Sequence, residues 1–308
     1  MTDMKKIIID TDIGDDIDDA FALLAALADD DFEILGITTV FKNTAERTKI
    51  VKRILKLAGR EGVPVFSGHD EPINGYIPKW DYENTEPDGK IRIHHYRDDM
   101  ASERADEGSA EDFILSAAEK YPGEVTLIAL GPLTNIAAAI KKDPKKFLLL
   151  KEARVMCGQF AGTYPEWNVR VDPEAADIFF TCGLKITSVG LDVTTKCKLY
   201  KEQTDALGKL SSPALDLVKQ MMNVWIESNN GDGKPQRYPT MHDPLCVLCV
   251  SDGDICGFEE VKVAVTLEEG RRGYTETRED GSPVAVAKSI NVDKFYEKFF
   301  EAMKKISV

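Results

Sequence analysis

The fold is decided by residues 7–28, which read IIIDTDIGDDIDDAFALLAALA. Residues 7–9 form a short β-branched run typical of a buried strand, and residues 20–28 are rich in Ala and Leu, the strongest helix formers. The acidic segment 10–19 between them therefore predicts a loop that connects a strand to a helix. A strand followed directly by a helix begins a β-α-β unit.

The same alternation continues along the chain. Residues 33–41 and 63–66 are predicted strands, and residues 45–57 form a predicted helix with an apolar stripe at helical spacing. A β-α-β-α-β order is the signature of a parallel sheet with helices packed on it. We predict a single α/β domain over residues 1–308, with a mostly parallel open sheet, helices on both faces and a Rossmann-like core.

The rest of the chain extends this pattern, with one interruption. Residues 69–105, rich in Gly, Pro, Asn and Asp, predict an insertion or flap that contains His94 and His95. A C-terminal antiparallel ribbon and a final helix capped by Asn291 complete the prediction. The remaining predicted elements are a helix over 110–120, a strand over 124–130, a helix opened by Pro132, a strand over 153–157, a helix begun by Asp172 and Pro173, a strand over 186–189, a helix over 214–228, a helix that starts at residues 241–244, and ribbon strands over 261–267 and 284–289.

The charge of the chain is concentrated around its first loop. The 308 residues include 53 acids and 39 Lys and Arg, for a net charge of −14. Residues 7–41 hold ten of those acids and no Lys or Arg, so the remaining 43 acids nearly balance the 39 bases. This acidic balance, without a basic stripe, counts against nucleic acid or an anionic membrane as the main partner.

The cysteines and the N-terminus favour a cytoplasmic protein. Six cysteines are scattered through apolar segments without the dense spacing of a secreted disulfide scaffold. Cys246 and Cys249 form a C-x-x-C within an apolar run that is typical of a buried helix, and no second Cys pair or nearby His cluster completes a zinc site. The N-terminal segment is too short for a signal peptide, and residues 20–28 are too few to span a bilayer.

Residues 10–19 contain six Asp at the end of the first predicted strand. Open α/β sheets bind their ligands at that edge. Carboxylates this close repel one another unless water or a cation neutralises them, and Ca²⁺, with about 6–8 oxygen ligands, suits such a loop. An EF-hand is excluded, because with Asp10 first, Gly14 falls where an oxygen ligand is needed and no Glu is twelfth.

Two other interpretations of this loop stay open. A solvated loop explains Asp18 and Asp19, which favour the helix dipole, but explains Asp10 and Asp12 poorly, because acids directly after a buried strand are costly without partners. A Mg²⁺-dependent HAD-like phosphohydrolase would instead use Asp10 as its nucleophile and Asp12 as an acid. That family's motif carries Thr or Val four residues after the nucleophile, where this chain has Gly14.

Five motifs, in order along the chain, resemble those of the calcium-dependent nucleoside hydrolases, the inosine-uridine-preferring family. The first is the loop D-T-D-x-G-x-D-x-D-D-A, and all five fall at predicted strand ends or loops. The resemblance implies ribonucleoside hydrolysis, a homodimer or homotetramer, and a role in purine and pyrimidine salvage. The other four motifs are ITTV at 37–40 with Asn43, LGPLTN at 130–135, EWN at 166–168 with VDPEAA at 171–176, and HDP at 242–244.

The resemblance also implies roles for individual residues. Asp12 would bind the metal and act as the general base, with Asp19, Asp243 and the backbone carbonyl of Leu130 as further calcium ligands. The division of roles among the acids of the first loop stays open. The implied substrate-binding residues are Asp16, Asp18, Asn43, Met156, Glu166, Trp167 and Asn168.

The expected chemistry agrees with this assignment. Breaking an N-glycosidic bond builds positive charge on the ribose, so surrounding carboxylates stabilise an oxocarbenium-like transition state. His242 is the expected general acid for the departing base, with an ordinary pKa suited to neutral pH; the alternative is a His that only orients the helix after it. A non-catalytic calcium-dependent ribose-binding protein remains a further alternative, and the sequence does not decide between purine and pyrimidine bases.

Overall fold

The computed structural model describes residues 4–74, 91–230 and 235–307. The described strands are β1 (Lys5–Thr11), β2 (Phe32–Thr39), β3 (Val65–Ser67), β4 (Thr126–Ala129), β5 (Glu152–Val155), β6 (Ile186–Ser188), β7 (Cys256–Val265), β8 (Thr275–Thr277) and β9 (Ser282–Ile290). The described α-helices are α1 (Asp18–Ala28), α2 (Thr44–Leu57), α3 (Ala110–Lys120), α4 (Thr134–Lys142), α5 (Pro144–Phe147), α6 (Trp167–Val171), α7 (Pro173–Phe180), α8 (Leu191–Thr194), α9 (Lys201–Leu207), α10 (Pro213–Asn229), α11 (His242–Ser251) and α12 (Val292–Ile306).

All nine described strands form one sheet, in the order β3-β2-β1-β4-β5-β6-β9-β7-β8. The strands from β3 to β9 in this order are parallel, and β7 pairs antiparallel with both β9 and β8. The predicted mostly parallel sheet and C-terminal antiparallel strands are confirmed. The ribbon is not a separate unit, because β9 extends the parallel sheet beside β6 and β8 adds an edge strand that the sequence did not reveal.

The side chains of β1 alternate between two cores. Ile7 and Ile9 pack with α1, α2, α10, α11 and α12, whereas Ile8 packs with α3, α4 and α7. Each of these three isoleucines is at most 1% exposed. A strand covered on both sides reads as a continuous apolar run, which explains the three consecutive isoleucines and confirms that helices lie on both faces of the sheet.

Most of the predicted helix starts are confirmed. Asp172 caps α7 by accepting a hydrogen bond from Ala175 N at 3.0 Å, and Asn291 caps α12 by accepting from Lys294 N at 3.1 Å. The start predicted at Pro132 is wrong. Helix α4 begins two residues later because Leu133, with φ −81° and ψ 18°, is not yet helical.

Within the described parts of the chain, no helix is long and apolar enough to cross a membrane. All six cysteines are free, and the two of the C-x-x-C are buried on α11, as expected of a core helix. Residues 75–90 of the predicted insertion lie outside the described residues. Its described part contains a short 3₁₀ helix, Asp98–Met100, and reaches the first loop through a hydrogen bond from His95 N to Gly14 O at 2.8 Å.

Candidate active site

The residues that follow β1, β2, β4 and β5 line one cavity of about 580 Å³ at the carboxyl edge of the sheet. Loops from neighbouring parallel strands converge at this edge, which is where open α/β sheets bind ligands. Eleven of the twelve residues predicted for the site line the cavity. They are Asp12, Asp16, Asp18, Asp19, Leu130, Met156, Glu166, Trp167, Asn168, His242 and Asp243.

Three buried carboxylates lie close together in this cavity. Asp18 and Asp19 occupy the first turn of α1, and Asp243 occupies the first turn of α11. One carboxylate oxygen of each lies within 4.8 Å of the other two. The backbone N–H of Asp243 donates to Asp18 Oδ2 at 3.3 Å, so the two helix N-termini meet at the triad.

The triad needs a positive charge. Burial, and then the charges of neighbouring acids, raise the pKa of all three carboxyl groups. Buried carboxylates this close cannot all ionise unless a cation or protons compensate them. Oxygen ligands suit a hard divalent cation, so Asp18, Asp19 and Asp243 fit a metal site.

Asp12 lines the same cavity beside the triad. Its charge raises the pKa of Asp19 and Asp243, although its carboxylate lies outside the group of three. Burial raises the pKa of Asp12 itself to about 6, against the opposing charge of Arg47. A Cβ placed on Gly131 would lie 2.9 Å from the N and Oδ1 of Asp12, so the turn after β4 approaches this acid closely because glycine stands there.

Glu166 and Asn168 are held rigidly by the short helix α6. Glu166 caps that helix, with Oε1 accepting from Asn168 N at 2.8 Å and Oε2 from Val169 N at 3.2 Å. Burial raises the pKa of Glu166 to about 7, against these backbone donors. Asn168 Nδ2 donates to Leu130 O at 2.7 Å and to Met156 O at 3.0 Å, so the ends of β4 and β5 are tied together. Because a carbonyl oxygen has two lone pairs, Leu130 keeps one for another partner.

His242 lies partly buried at the start of α11, with its Nδ1 atom 2.7 Å from Thr194 Oγ1. Burial, and then the charge of Lys198, lower its pKa to about 4. The ordinary pKa expected from the sequence is therefore wrong, because desolvation favours the neutral imidazole.

Asn43 is the predicted site residue that does not line the cavity. Its side-chain oxygen caps α2 by accepting from Glu46 N at 3.2 Å, and its contact with ribose stays a prediction. Asp10, the nucleophile of the phosphohydrolase alternative, is also absent from the cavity lining. It is fully buried and accepts hydrogen bonds from Thr38 and from Asn135 Nδ2.

Sequence reasoning missed several residues of this region. Tyr164, Arg170 and Arg237 line the cavity, and the buried Arg47 lies beneath its first loop. One available signal was the position of Arg47, which falls three and seven residues before the buried Ile50 and Ile54 of α2. A charged residue in an apolar stripe needs a buried partner.

Fold and site together define an α/β enzyme whose acidic cavity is suited to a cation. The sequence profile of the inosine-uridine preferring nucleoside hydrolases matches residues 7–297. Uridine nucleosidase 1 of Arabidopsis thaliana is 34% identical over 314 residues, covering 95% of this chain and 91% of that protein. The chain belongs to this nucleoside hydrolase family, and it is a ribonucleoside hydrolase that cleaves N-glycosidic bonds.

Solved structures agree with this membership. A plant nucleoside hydrolase superposes with a TM-score of 0.84 at 26% identity, covering 99% of each chain. A purine-preferring ribonucleoside hydrolase from Gardnerella vaginalis also gives a TM-score of 0.84 at 26% identity, covering 98% of this chain and 99% of its own. The family resemblance of the five motifs is confirmed, and the phosphohydrolase and non-catalytic alternatives are set aside.

Proposed function

We propose that the enzyme is Ca²⁺-dependent and that Asp12 is its general base. The observation that carries this proposal is the buried triad of Asp18, Asp19 and Asp243, whose charges need a cation. Asp12, Asp19, Asp243 and the Leu130 carbonyl would hold the ion, with Asp18 beside them. Ca²⁺ bound there would supply Lewis-acid chemistry that makes a water molecule easier to deprotonate.

In this proposal the carboxylate of Asp12 takes the proton from the attacking water. Burial raises the pKa of Asp12 to about 6 in the metal-free protein, and a bound cation would lower it, so Asp12 is ionised at neutral pH and can accept this proton. Asp18, Glu166 and Asn168 hold the ribose hydroxyls, with Met156 beside them. Their placement in one acidic cavity favours positive charge on the sugar as the glycosidic bond breaks.

The charge of the cavity lining supports a neutral nucleoside over a nucleotide. Among the described residues, seven acids line it against three bases, so the phosphate of a nucleotide would be repelled. The acids are Asp12, Asp15, Asp16, Asp18, Asp19, Glu166 and Asp243, and the bases are Lys42, Arg170 and Arg237.

His242 assists the departing base as a neutral hydrogen-bond donor. If the hydroxyl of Thr194 donates to Nδ1, the remaining proton sits on Nε2 and can donate a hydrogen bond to the leaving base, while His242 itself stays neutral. Trp167 and Trp225 also line the cavity and offer aromatic surfaces for the base. Stacking tolerates any base, so we propose substrates among both purine and pyrimidine ribonucleosides.

We further infer a single domain over residues 1–308, with residues 69–105 as an insertion, that works as a homodimer or homotetramer in nucleoside salvage. The six free cysteines support a reducing compartment such as the cytoplasm.

The decisive experiment is release of ribose from inosine, adenosine, uridine and cytidine, with CaCl₂, with MgCl₂ and with a chelator. We expect release with Ca²⁺ that the chelator abolishes and fresh Ca²⁺ restores. Full activity in the chelator would overturn the proposed calcium dependence.

A further inference from the structure

Arg47 is a fully buried charged side chain on α2, at 0% exposure. It lies on the apolar face of the helix, next to the segment of residues 12–15 that follows β1. A buried guanidinium is retained only where its donors and its charge are compensated.

The partners of Arg47 lie in the first loop and the turn after β2. Nη1 donates to the carbonyl oxygens of Asp12 and Ile13, at 2.8 Å for Ile13. Nε donates to Phe41 O at 2.7 Å, and Nη2 donates to Asp15 Oδ2 at 2.8 Å. The planar fork of arginine therefore joins the backbone of the proposed base to a neighbouring turn.

Asp15 is the counter-ion of this arrangement. Its Oδ2 also accepts from Lys42 Nζ at 2.9 Å, and its Oδ1 accepts from His94 N at 3.4 Å. Burial alone would raise the pKa of Asp15, but Arg47 and Lys42 hold it below its usual range. Although Asp15 lines the cavity, its carboxylate is engaged with the protein's own cations.

The turn after β2 has a strained backbone, and these contacts support it. Phe41 and Lys42 have φ values of 70° and 58°, a left-handed conformation that non-glycine residues rarely adopt. Arg47 holds the carbonyl of Phe41, and Asp15 holds the ammonium group of Lys42. The first loop and this turn thus support each other through one ion cluster.

We propose that Arg47 is a positioning residue for Asp12: with Asp15 as its counter-ion, it fixes the backbone of residues 12–15 so that the Asp12 carboxylate faces the cavity. This inference rests on the proposed role of Asp12 as general base. Arg47 lies outside the cavity lining and does not contact the substrate in this scheme.

The test compares Arg47→Lys, Arg47→Gln and Asp15→Asn with the matched control Leu55→Ala. Leu55 is a fully buried residue on the same helix that faces the core. We expect kcat for uridine or inosine at 20 °C to fall about 10-fold in Arg47→Lys and Asp15→Asn and about 100-fold in Arg47→Gln, with KM within about 3-fold, because a small misplacement of a catalytic group costs this much. Leu55→Ala should lower Tm and leave kcat unchanged.

Two measurements separate positioning from stability alone. Amide hydrogen exchange of residues 12–17 should rise in Arg47→Lys but not in Leu55→Ala. The kcat of the double variant Arg47→Lys/Asp15→Asn should lie within about 3-fold of the kcat of the slower single variant, because the two residues act as one unit. If Arg47→Gln fails to fold, Arg47→Lys and Asp15→Asn carry the test.

An unchanged kcat in folded Arg47→Lys and Asp15→Asn would overturn the proposal. So would a rise in KM at constant kcat, which would indicate contact with substrate, or an equal loss of kcat in Leu55→Ala. The variant Asp12→Asn separates a failure of the general-base role of Asp12 from a failure of the positioning role of Arg47. If it is fully active, the general-base assignment fails, whereas an inactive Asp12→Asn beside unaffected Arg47 variants overturns only the role of Arg47.

Discussion

The Nδ1 atom of His242 lies 2.7 Å from the hydroxyl oxygen of Thr194. This contact joins the start of α11 to the end of α8, and it fixes the orientation of the imidazole at the edge of the cavity. Because burial lowers the pKa of His242 to about 4, the ring is neutral throughout the neutral pH range. If His242 acts as a neutral hydrogen-bond donor, the rate depends on pH differently than if it acts as a charged acid.

The first prediction concerns the pH profile. Burial raises the pKa of the Asp12 carboxyl to about 6 in the metal-free protein, and a bound cation would lower it, so kcat/KM at saturating Ca²⁺ should reach its plateau below about pH 6 and stay level above it. A His242 acid with an ordinary pKa would instead lower the rate about tenfold for each pH unit above about 6.5. Steady-state kinetics from pH 5 to 8.5 distinguish these cases, and an alkaline limb near 6.5 that disappears in His242→Asn would contradict the neutral donor.

The second prediction concerns Thr194. In Thr194→Val the imidazole loses the partner of its Nδ1 atom, so its Nε2 donor is no longer held in place and we expect kcat to fall about 10-fold, the net contribution of about one hydrogen bond. The side chain is buried and Val has a similar shape, so the fold should be retained. The matched control is Thr195→Val, one residue further on, where the exposed hydroxyl only donates to Leu191 O and kcat should be unchanged. Equal rates for wild type and Thr194→Val would remove this contact from the mechanism.

The third prediction concerns the approach of Gly131 to Asp12. In Gly131→Ala the added methyl group would lie 2.9 Å from the Asp12 backbone nitrogen, so the loop must shift and kcat should fall about 100-fold. Gly62→Ala is the control, because a Cβ there has no heavy atom within 4 Å. The two variants should differ in kcat and not in far-UV circular dichroism. Wild-type kcat in Gly131→Ala would show that the close approach has no part in catalysis.

The fourth prediction links metal removal to pH. Burial raises the pKa of Glu166 and of Asp10 to about 7, and it also raises those of Asp18, Asp19 and Asp243. Between pH about 4.5 and 7 these groups bind more protons in the folded protein than in the unfolded chain. Their contribution to stability is therefore present at low pH and lost as pH rises. For each extra proton that the folded protein holds, the free energy of unfolding falls by about 1.4 kcal/mol when the pH rises by one unit.

His95 and His242 act in the opposite direction. The pKa of each is lowered to about 4, so their contribution to stability is complete above about pH 6.5 and is lost as pH falls toward 4. The carboxyl groups outnumber them, so metal-free protein should be less stable at pH 7.5 than at pH 5.5.

Calorimetry at these two pH values measures the effect. Because a cation neutralises the triad only when its acids are ionised, CaCl₂ should raise Tm by more at pH 7.5 than at pH 5.5. Equal increases at both pH values would place the bound ion away from the triad.

The sequence by itself determined the strand and helix alternation and the edge at which the site forms. The strand at residues 7–9, the loop that follows it and the cap at Asp172 are confirmed because each depends on local periodicity or capping. Loops that follow parallel strands must converge at one edge, and so eleven of the twelve predicted site residues line the cavity.

Only the tertiary structure decided which of these residues act together. Asp18 and Asp243 are 225 residues apart, and their meeting depends on how α1 and α11 pack. The neutral state of His242 follows from burial and from Thr194 on another helix, neither of which a motif encodes. The sequence shows Arg47 as a charge within the apolar stripe of α2. Its partners depend on the packing of the first loop and of the turn after β2 against this helix. Long-range contacts and desolvation set the charge state of each group, and neither is a property of a short segment of sequence.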